Sequence, residues 1–129
     1  MKLSAFSTVL VLAFFLASCS RTPGSRSSIP AAEAKKHIGE NAVVSGTVIE
    51  VFVSKQNTNV YLYLDGGLPN AKFAAVWPGT NDPPIKELED LMAKPIEVKG
   101  KIIADHNVPE ANHDVPEIVV NFWDQIDYQ

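Results

Sequence analysis

The segment spanning residues 42–53 is long for a β-strand, and its alternation of apolar residues changes phase part of the way along. Val44, Gly46 and Val48 fall on one face, and the parity then changes at Ile49-Glu50. Such a change predicts a β-bulge, which bends a strand and increases its twist. A long strand with an internal glycine and a bulge can pair with different partners in the two halves of a barrel. This segment therefore predicts a curved, mainly β fold.

Four further segments have the composition of short strands. They cover residues 60–64, with Val60, Leu62 and Leu64 inward and Tyr61 and Tyr63 outward, and residues 71–77, 95–104 and 116–122. Turn-forming sequences such as Asp65-Gly66-Gly67 and Pro78-Gly79 separate them. The pattern predicts five strands in total.

Two short helices are predicted beside these strands. Residues 30–38 begin with a proline and are followed by Gly39, which is typical of a helix end. A second helix is predicted between the third and fourth strands, with Asp82 as its N-cap. Its apolar face comprises Ile85, Leu88, Leu91 and Met92. The predicted fold class is thus all-β with a small helical content.

Five strands with a helix between the third and fourth match the OB-fold, a partly open Greek-key barrel. Val44-Ser-Gly-Thr-Val48, Tyr61-Leu-Tyr-Leu64, Lys99-Gly-Lys-Ile102 and Pro116-Glu-Ile-Val-Val120 follow one another in the order of that layout. Together they resemble the nucleic-acid-binding OB family related to tRNA-anticodon binders, and in particular its short bacterial exported members. The resemblance covers residues 29–126 and implies a binding module.

The N-terminal segment resembles a bacterial lipoprotein signal. Lys2 precedes an apolar stretch, and the only cysteine, Cys19, follows Leu16-Ala17-Ser18. This tetrapeptide resembles the lipobox, in which the cysteine thiol receives a diacylglycerol group and the chain is cleaved before it. The alternative is ordinary signal-peptide cleavage that leaves Cys19 as a free thiol. We expect a signal peptide at 1–18, a flexible lipid-anchored tether at 19–28 and an OB domain at 29–129.

The lipobox resemblance also predicts a location. The membrane is then a partner through the lipidated Cys19, because several acyl chains on one residue hold a protein to a bilayer almost permanently. The domain would face the periplasm from the cell envelope. Ser20, rather than aspartate, after the modified cysteine implies sorting to the outer membrane.

The charge of the predicted domain limits its partners. From Ile29 onward there are eight lysines and fifteen acidic residues, a formal charge of −7, and both arginines of the chain precede this region. Nucleic acids are held largely by lysine and arginine, so this balance disfavours them. Our leading hypothesis is recognition of a protein or small ligand in the envelope. The alternative is binding of single-stranded nucleic acid or oligonucleotides.

The OB resemblance implies that ligands bind across the outer face of the second and third strands, where bases stack on aromatic rings. Tyr61 matches a position that is commonly aromatic in the family, and Tyr63 is its neighbour on the same face. These two residues are the candidate ligand-binding pair. The alternative is that their rings pack within the protein and stabilise the sheet.

Metal binding has a weaker basis in the sequence. His106-Asn-Val-Pro-Glu110 and His113-Asp-Val-Pro-Glu117 repeat one pattern after seven residues, so His106 and His113 are candidate ligands. The spacing matches no zinc signature, and a small duplication in a tolerant loop explains it equally well. We therefore expect no cofactor and no metal.

The sequence favours a protein that is not an enzyme. It contains no Gly-X-Ser-X-Gly elbow, no His-Glu-X-X-His motif and no phosphate-binding loop. The acidic residues Glu87, Glu89 and Asp90 fall on the polar side of the second predicted helix, which is typical of a solvated face.

Overall fold

The computed structural model describes residues 27–105 and 115–128, with the side chain of Asp105 left out. The strands are β1 (Ile29–Pro30), β2 (Asn41–Val53), β3 (Val60–Leu64), β4 (Phe73–Trp77), β5 (Pro95–Lys101), β6 (Ile103–Asp105), β7 (Val115–Val119) and β8 (Ile126–Tyr128). Helix α1 covers Ile85–Glu89, and 3-10 helices cover Ala31–His37, Gly79–Asn81 and Trp123–Gln125. Within these ranges, no helix has the length and apolar character needed to cross a membrane.

Strand β2 is shared between two halves of the fold. Its first half pairs antiparallel with β5, from Asn41 opposite Lys101 onward, and its second half pairs antiparallel with β3. The register with β3 shifts between Val48 and Glu50, which confirms the predicted bulge. Because the strand bends there, one continuous segment supplies pairing partners to both halves.

All eight strands belong to one sheet, with β6 and β8 at the two ends of its strand order. Neighbouring strands run β6-β7-β4-β3-β2-β5-β8, and β1 lies parallel to β2. Strands β5 and β6 are consecutive in the chain with only Ile102 between them, so one segment pairs first with β2 and then with β7. The predicted all-β, OB-like fold is confirmed. The structure has eight strands rather than five, because Ile102 interrupts the fourth predicted strand and two short strands, β1 and β8, are added.

The interior of the barrel holds the apolar residues that alternate along these strands. It includes Val44, Val48, Val60, Leu62, Leu64, Phe73, Ala75, Trp77, Leu88, Leu91, Ile96, Val98, Ile102, Ile118, Val120 and Ile126. Ala31 and Ala34 of the first 3-10 helix also lie there. Trp77 contacts Trp123 edge to face, with 5.5 Å between ring centroids. Burial of this apolar surface is the main favourable contribution to folding.

The helices differ in detail from the predicted ones. The first is a 3-10 helix over Ala31–His37, and Gly39 after it adopts a φ of 92°, as a helix-ending glycine does. The Asp82 cap was wrong, because Asp82 adopts a left-handed conformation and α1 begins at Ile85 after Pro84. The short helix buries Leu88, whereas Ile85 is 40% exposed. With five residues, α1 makes too few turns to bury the whole predicted face.

Strand β8 was not predicted, and one side chain explains how it is positioned. The turn before it carries Gln125, whose Oε1 accepts hydrogen bonds from the backbone N–H groups of Asn121 (2.8 Å) and Phe122 (3.2 Å). Its Nε2 donates to the carbonyls of Lys99 in β5 (2.9 Å) and Val119 in β7 (3.1 Å). One amide therefore links β5, β7 and the turn that leads to β8.

We predict that Gln125→Ala lowers the free energy of unfolding by about 2 kcal/mol, because four hydrogen bonds at a partly exposed site are exchanged for bonds to water. Gln125→Glu should destabilise as well, since its second oxygen would face two carbonyls. The matched control is Gln56→Ala, in an exposed turn. Urea unfolding followed by circular dichroism measures both, and equal stability of the Gln125 and Gln56 variants would contradict the linking role.

Candidate functional site

Tyr61 and Tyr63 lie on the outer side of β3, but they are not exposed. Their accessible fractions are 1% and 0%, and their rings are stacked with centroids 6.0 Å apart and an interplanar angle of 7°. The two rings lie on the side of β3 away from the barrel interior, as predicted. Leu62 belongs to the interior cluster, whereas the tyrosines belong to a separate apolar cluster. Both rings are packed within the protein rather than open to solvent. As folded, they offer no free surface on which a base or sugar could stack.

Side chains of the protein itself cover this face. Ala74, Val76 and Val115 are buried in the same cluster as the two tyrosines, and Phe52, Leu68 and Ala71 pack against it. Phe52 and Tyr61 have ring centroids 6.2 Å apart. The covered face is thus a second small core outside the barrel, which is the packing alternative that the sequence left open.

The carboxylate of Glu50 holds part of the chain that covers the two tyrosines. Glu50 of β2 lies opposite Tyr63 in β3, and its Oε1 accepts a hydrogen bond of 3.0 Å from the backbone N–H of Leu68. Leu68 lies in the connection between β3 and β4 and packs on the tyrosine cluster. Glu50 therefore holds this connection in place beside the rings.

Polar contacts border the same face. The Nδ2 of Asn59 donates to the Tyr61 hydroxyl at 3.4 Å, and its Oδ1 accepts from the N–H of Gly79 at 2.8 Å. Glu117 of β7 is 5% exposed and lies opposite Ala74. Glu117 belongs to the second copy of the His-X-Val-Pro-Glu repeat. In the structure, Glu117 lies in the predicted last strand, and Val115 extends that strand by one residue toward the repeat.

The other half of the barrel has an open cleft on its outer side. Pro30, Ser45, Glu97 and Asp127 face one another across β1, β2, β5 and β8. Together with Gly46, Thr47, Asp65, Pro95, Ile96 and Tyr128 they line a cleft of about 490 Å³. This volume falls within the range of small-ligand and peptide sites. No local sequence pattern indicates this cleft, because its lining residues come from five distant segments.

The cleft is acidic. Three of its ten lining residues, Asp65, Glu97 and Asp127, are carboxylates, and none of the ten is basic. Asp65 is oriented by its Oδ1, which accepts from the N–H of Thr47 at 2.8 Å. At one end, the Nζ of Lys94 lies 6.0 Å from the centroid of the Tyr128 ring. The arrangement favours a cationic ligand over an anionic one.

The remaining predicted site residues lie outside the described part of the chain. Cys19 belongs to residues 1–26, and His106 and His113 belong to residues 106–114. Lipidation and metal binding at these positions therefore stay predictions. Among residues 27–105 and 115–128, no group of three potential ligands is arranged to hold a metal ion.

Several solved structures are similar to this protein, although no protein family matches its sequence. No protein-family model matches the sequence, and no curated protein matches it. A putative aspartyl-tRNA synthetase from Leishmania major matches with a TM-score of 0.52 and 15% identity over 85% of this chain. The aspartyl-tRNA synthetase of Entamoeba histolytica matches with a TM-score of 0.51 and 13% identity over 96% of this chain. An OBody bound to hen egg-white lysozyme matches with a TM-score of 0.53 and 17% identity.

These similarities establish the fold. The chain spans only 22% and 28% of the two synthetases, so it corresponds to one part of each. The OBody has nearly the same extent, with 85% of this chain and 98% of that one covered. The protein thus has an OB-like fold of the type found in part of the aspartyl-tRNA synthetases.

We predict that Tyr63→Ala lowers the free energy of unfolding by about 3–5 kcal/mol, because a fully buried ring is removed and a cavity remains. Tyr128→Ala is the matched control. Tyr128 is 50% exposed, and its loss should cost about 1 kcal/mol or less. Thermal unfolding of both variants measures the difference. A Tyr63 variant as stable as the Tyr128 variant would show that the face is open.

Proposed function

We propose that this protein is a non-catalytic OB-fold binding module that recognises a protein or small ligand in the cell envelope. The observation that supports this most is the contrast between the two outer faces of the barrel. Tyr61 and Tyr63, on the face implied by the family resemblance, are buried under the protein's own side chains. The acidic cleft across β1, β2, β5 and β8 is accessible.

The charge balance supports the same proposal. A surface with a formal charge of −7 from Ile29 onward repels polyphosphate backbones. A partner protein is not repelled in this way, because basic patches on its surface complement an acidic face. One similar structure, the OBody, is bound to a protein, hen egg-white lysozyme. An OB-like chain of this size is therefore compatible with recognition of a folded protein.

The test of this proposal is crosslinking in intact cell envelopes, followed by purification and mass spectrometry. We expect one or a few envelope proteins to be crosslinked reproducibly. Recovery of the protein with no crosslinked partner and no co-purifying small ligand would contradict the proposal.

The second candidate function is binding of single-stranded nucleic acid. The similar structures favour this candidate over the first, because two of them are aspartyl-tRNA synthetases, enzymes named for a tRNA substrate. The lack of arginine from Ile29 onward and the buried tyrosines count against it. A nucleic acid would have to bind through surfaces other than the Tyr61–Tyr63 pair.

We predict that a fluorescently labelled single-stranded oligonucleotide of mixed sequence shows no saturable binding at low salt, where charge interactions are strongest. Fluorescence anisotropy measures this directly. Micromolar or tighter binding that weakens steeply as salt is added would establish the second candidate instead. In that case Tyr61→Phe, which keeps the ring, is a better probe than Tyr61→Ala, which would remove buried packing.

We propose further that the module is anchored in the envelope through a lipidated Cys19, facing the periplasm at the outer membrane. The support is the Leu16-Ala17-Ser18-Cys19 sequence and the serine that follows it. Two or three acyl chains on one residue would restrict the protein to the membrane surface.

Fractionation of cells that carry Cys19→Ser tests the anchor. We predict that the protein moves from the membrane fraction to the soluble fraction, since the thiol that accepts the lipid is lost. Ser18→Ala is the matched control, because it keeps the thiol and a small residue before it. Unchanged membrane retention of the Cys19 variant, or mass spectrometry that finds an unmodified thiol, would contradict the anchor.

A further inference from the structure

The cleft is kept open by small residues at its base. Its lining at β2 consists of Ser45, Gly46 and Thr47. A Cβ on Gly46 would lie 2.9 Å from the Cβ of Leu64 and 3.0 Å from the Oδ2 of Asp65, closer than side chains normally approach. Glycine at this position therefore lets the Asp65 carboxylate lie against the sheet at the edge of the cleft.

Two carboxylates face each other inside the cleft without a counter-ion. Glu97 in β5 and Asp127 in β8 are directly opposite in antiparallel register. Like charges in this relation destabilise a sheet. Within the part of the chain that the structure describes, neither residue has an ion pair. The repulsion between them would be relieved by a positive charge placed between or above them.

The spread of the carboxylates argues for an extended cation rather than a metal ion. Asp65, Glu97 and Asp127 line one cleft, yet among the described residues no three such groups are close enough to share a metal. A cleft of about 490 Å³ has room for more than one side chain of a ligand. Positive groups spaced along a peptide can each meet a different carboxylate.

We propose that this cleft binds a lysine- or arginine-rich segment of a partner protein. The inference rests on the proposed function as a protein-binding module and names its contact surface. Basic side chains would reach Glu97 and Asp127 in the middle of the cleft and Asp65 at its edge. The Tyr128 ring also lines the cleft and lies near the Lys94 ammonium group, so we expect the basic segment to bind at the carboxylates rather than at this ring.

The experiment uses the purified full-length protein and a fluorescein-labelled peptide of alternating lysine and glycine, measured by fluorescence anisotropy at low salt. The cleft variant is Glu97→Gln/Asp127→Asn. The matched control is Glu87→Gln/Glu89→Gln, which removes the same charge from the exposed side of α1. A peptide of alternating glutamine and glycine controls for binding without charge.

We expect the lysine peptide to bind with an affinity that the cleft variant weakens about tenfold, or about 1.4 kcal/mol, as two partly exposed ion pairs would. The control variant should bind within about twofold of the unchanged protein, since distant exposed charges are screened. The cleft variant should unfold at the same or a higher temperature, because a like-charge pair has been removed. This readout separates loss of binding from loss of folding.

Three results of the peptide experiment would overturn the inference. The first is equal weakening in the cleft and control variants, which would show general attraction to an acidic protein. The second is that the small polyamine spermine binds and the lysine peptide does not. The third is that no peptide binding is detected at low salt. Envelope crosslinks that persist unchanged in the cleft variant would overturn the cleft assignment while the binding-module proposal stands. Loss of those crosslinks in the cleft variant, but not in the control variant, would support both the cleft assignment and the binding-module proposal.

Discussion

The bend in β2 determines most of this structure. Because the register shifts between Val48 and Glu50, one thirteen-residue strand pairs with β5 along its first half and with β3 along its second. The two sheets that result share a single interior, which the alternating apolar residues of every long strand fill. A bulge bends a strand and increases its twist, which lets the sheet curve around this interior.

The bend also gives the barrel two outer faces with different properties. Beyond the bulge, Glu50 and Phe52 lie opposite Tyr63 and Tyr61 of β3 and help to hold an apolar layer over these two rings. Before the bulge, the small residue Gly46 faces β5 and contributes to an accessible cleft. The buried tyrosines thus stabilise the protein. The accessible polar side chains lie in the cleft across β1, β2, β5 and β8.

Local patterns in the sequence predicted the fold better than they predicted the site. Alternation located β2, its bulge and β3 correctly, because strand periodicity and parity are properties of neighbouring residues. The same alternation placed Tyr61 outward but carried no information about the connection that covers it. Strand β8 was missed because three residues are too few to show a period. The cleft depends on the pairing of Glu97 with Asp127, a contact between residues thirty positions apart that no local pattern reveals.

Nuclear Overhauser contacts in the isotopically labelled full-length protein are the sharpest test of the bend in β2, because they report which strands flank it. The bent strand β2 predicts backbone contacts from Val44 to Val98 and from Val51 to Leu62 in the same spectrum, with the change of partner between Thr47 and Val48. It also predicts contacts between the Tyr61 ring and Phe52. Contacts from β2 to only one of the two strands, or tyrosine rings without apolar neighbours, would contradict it.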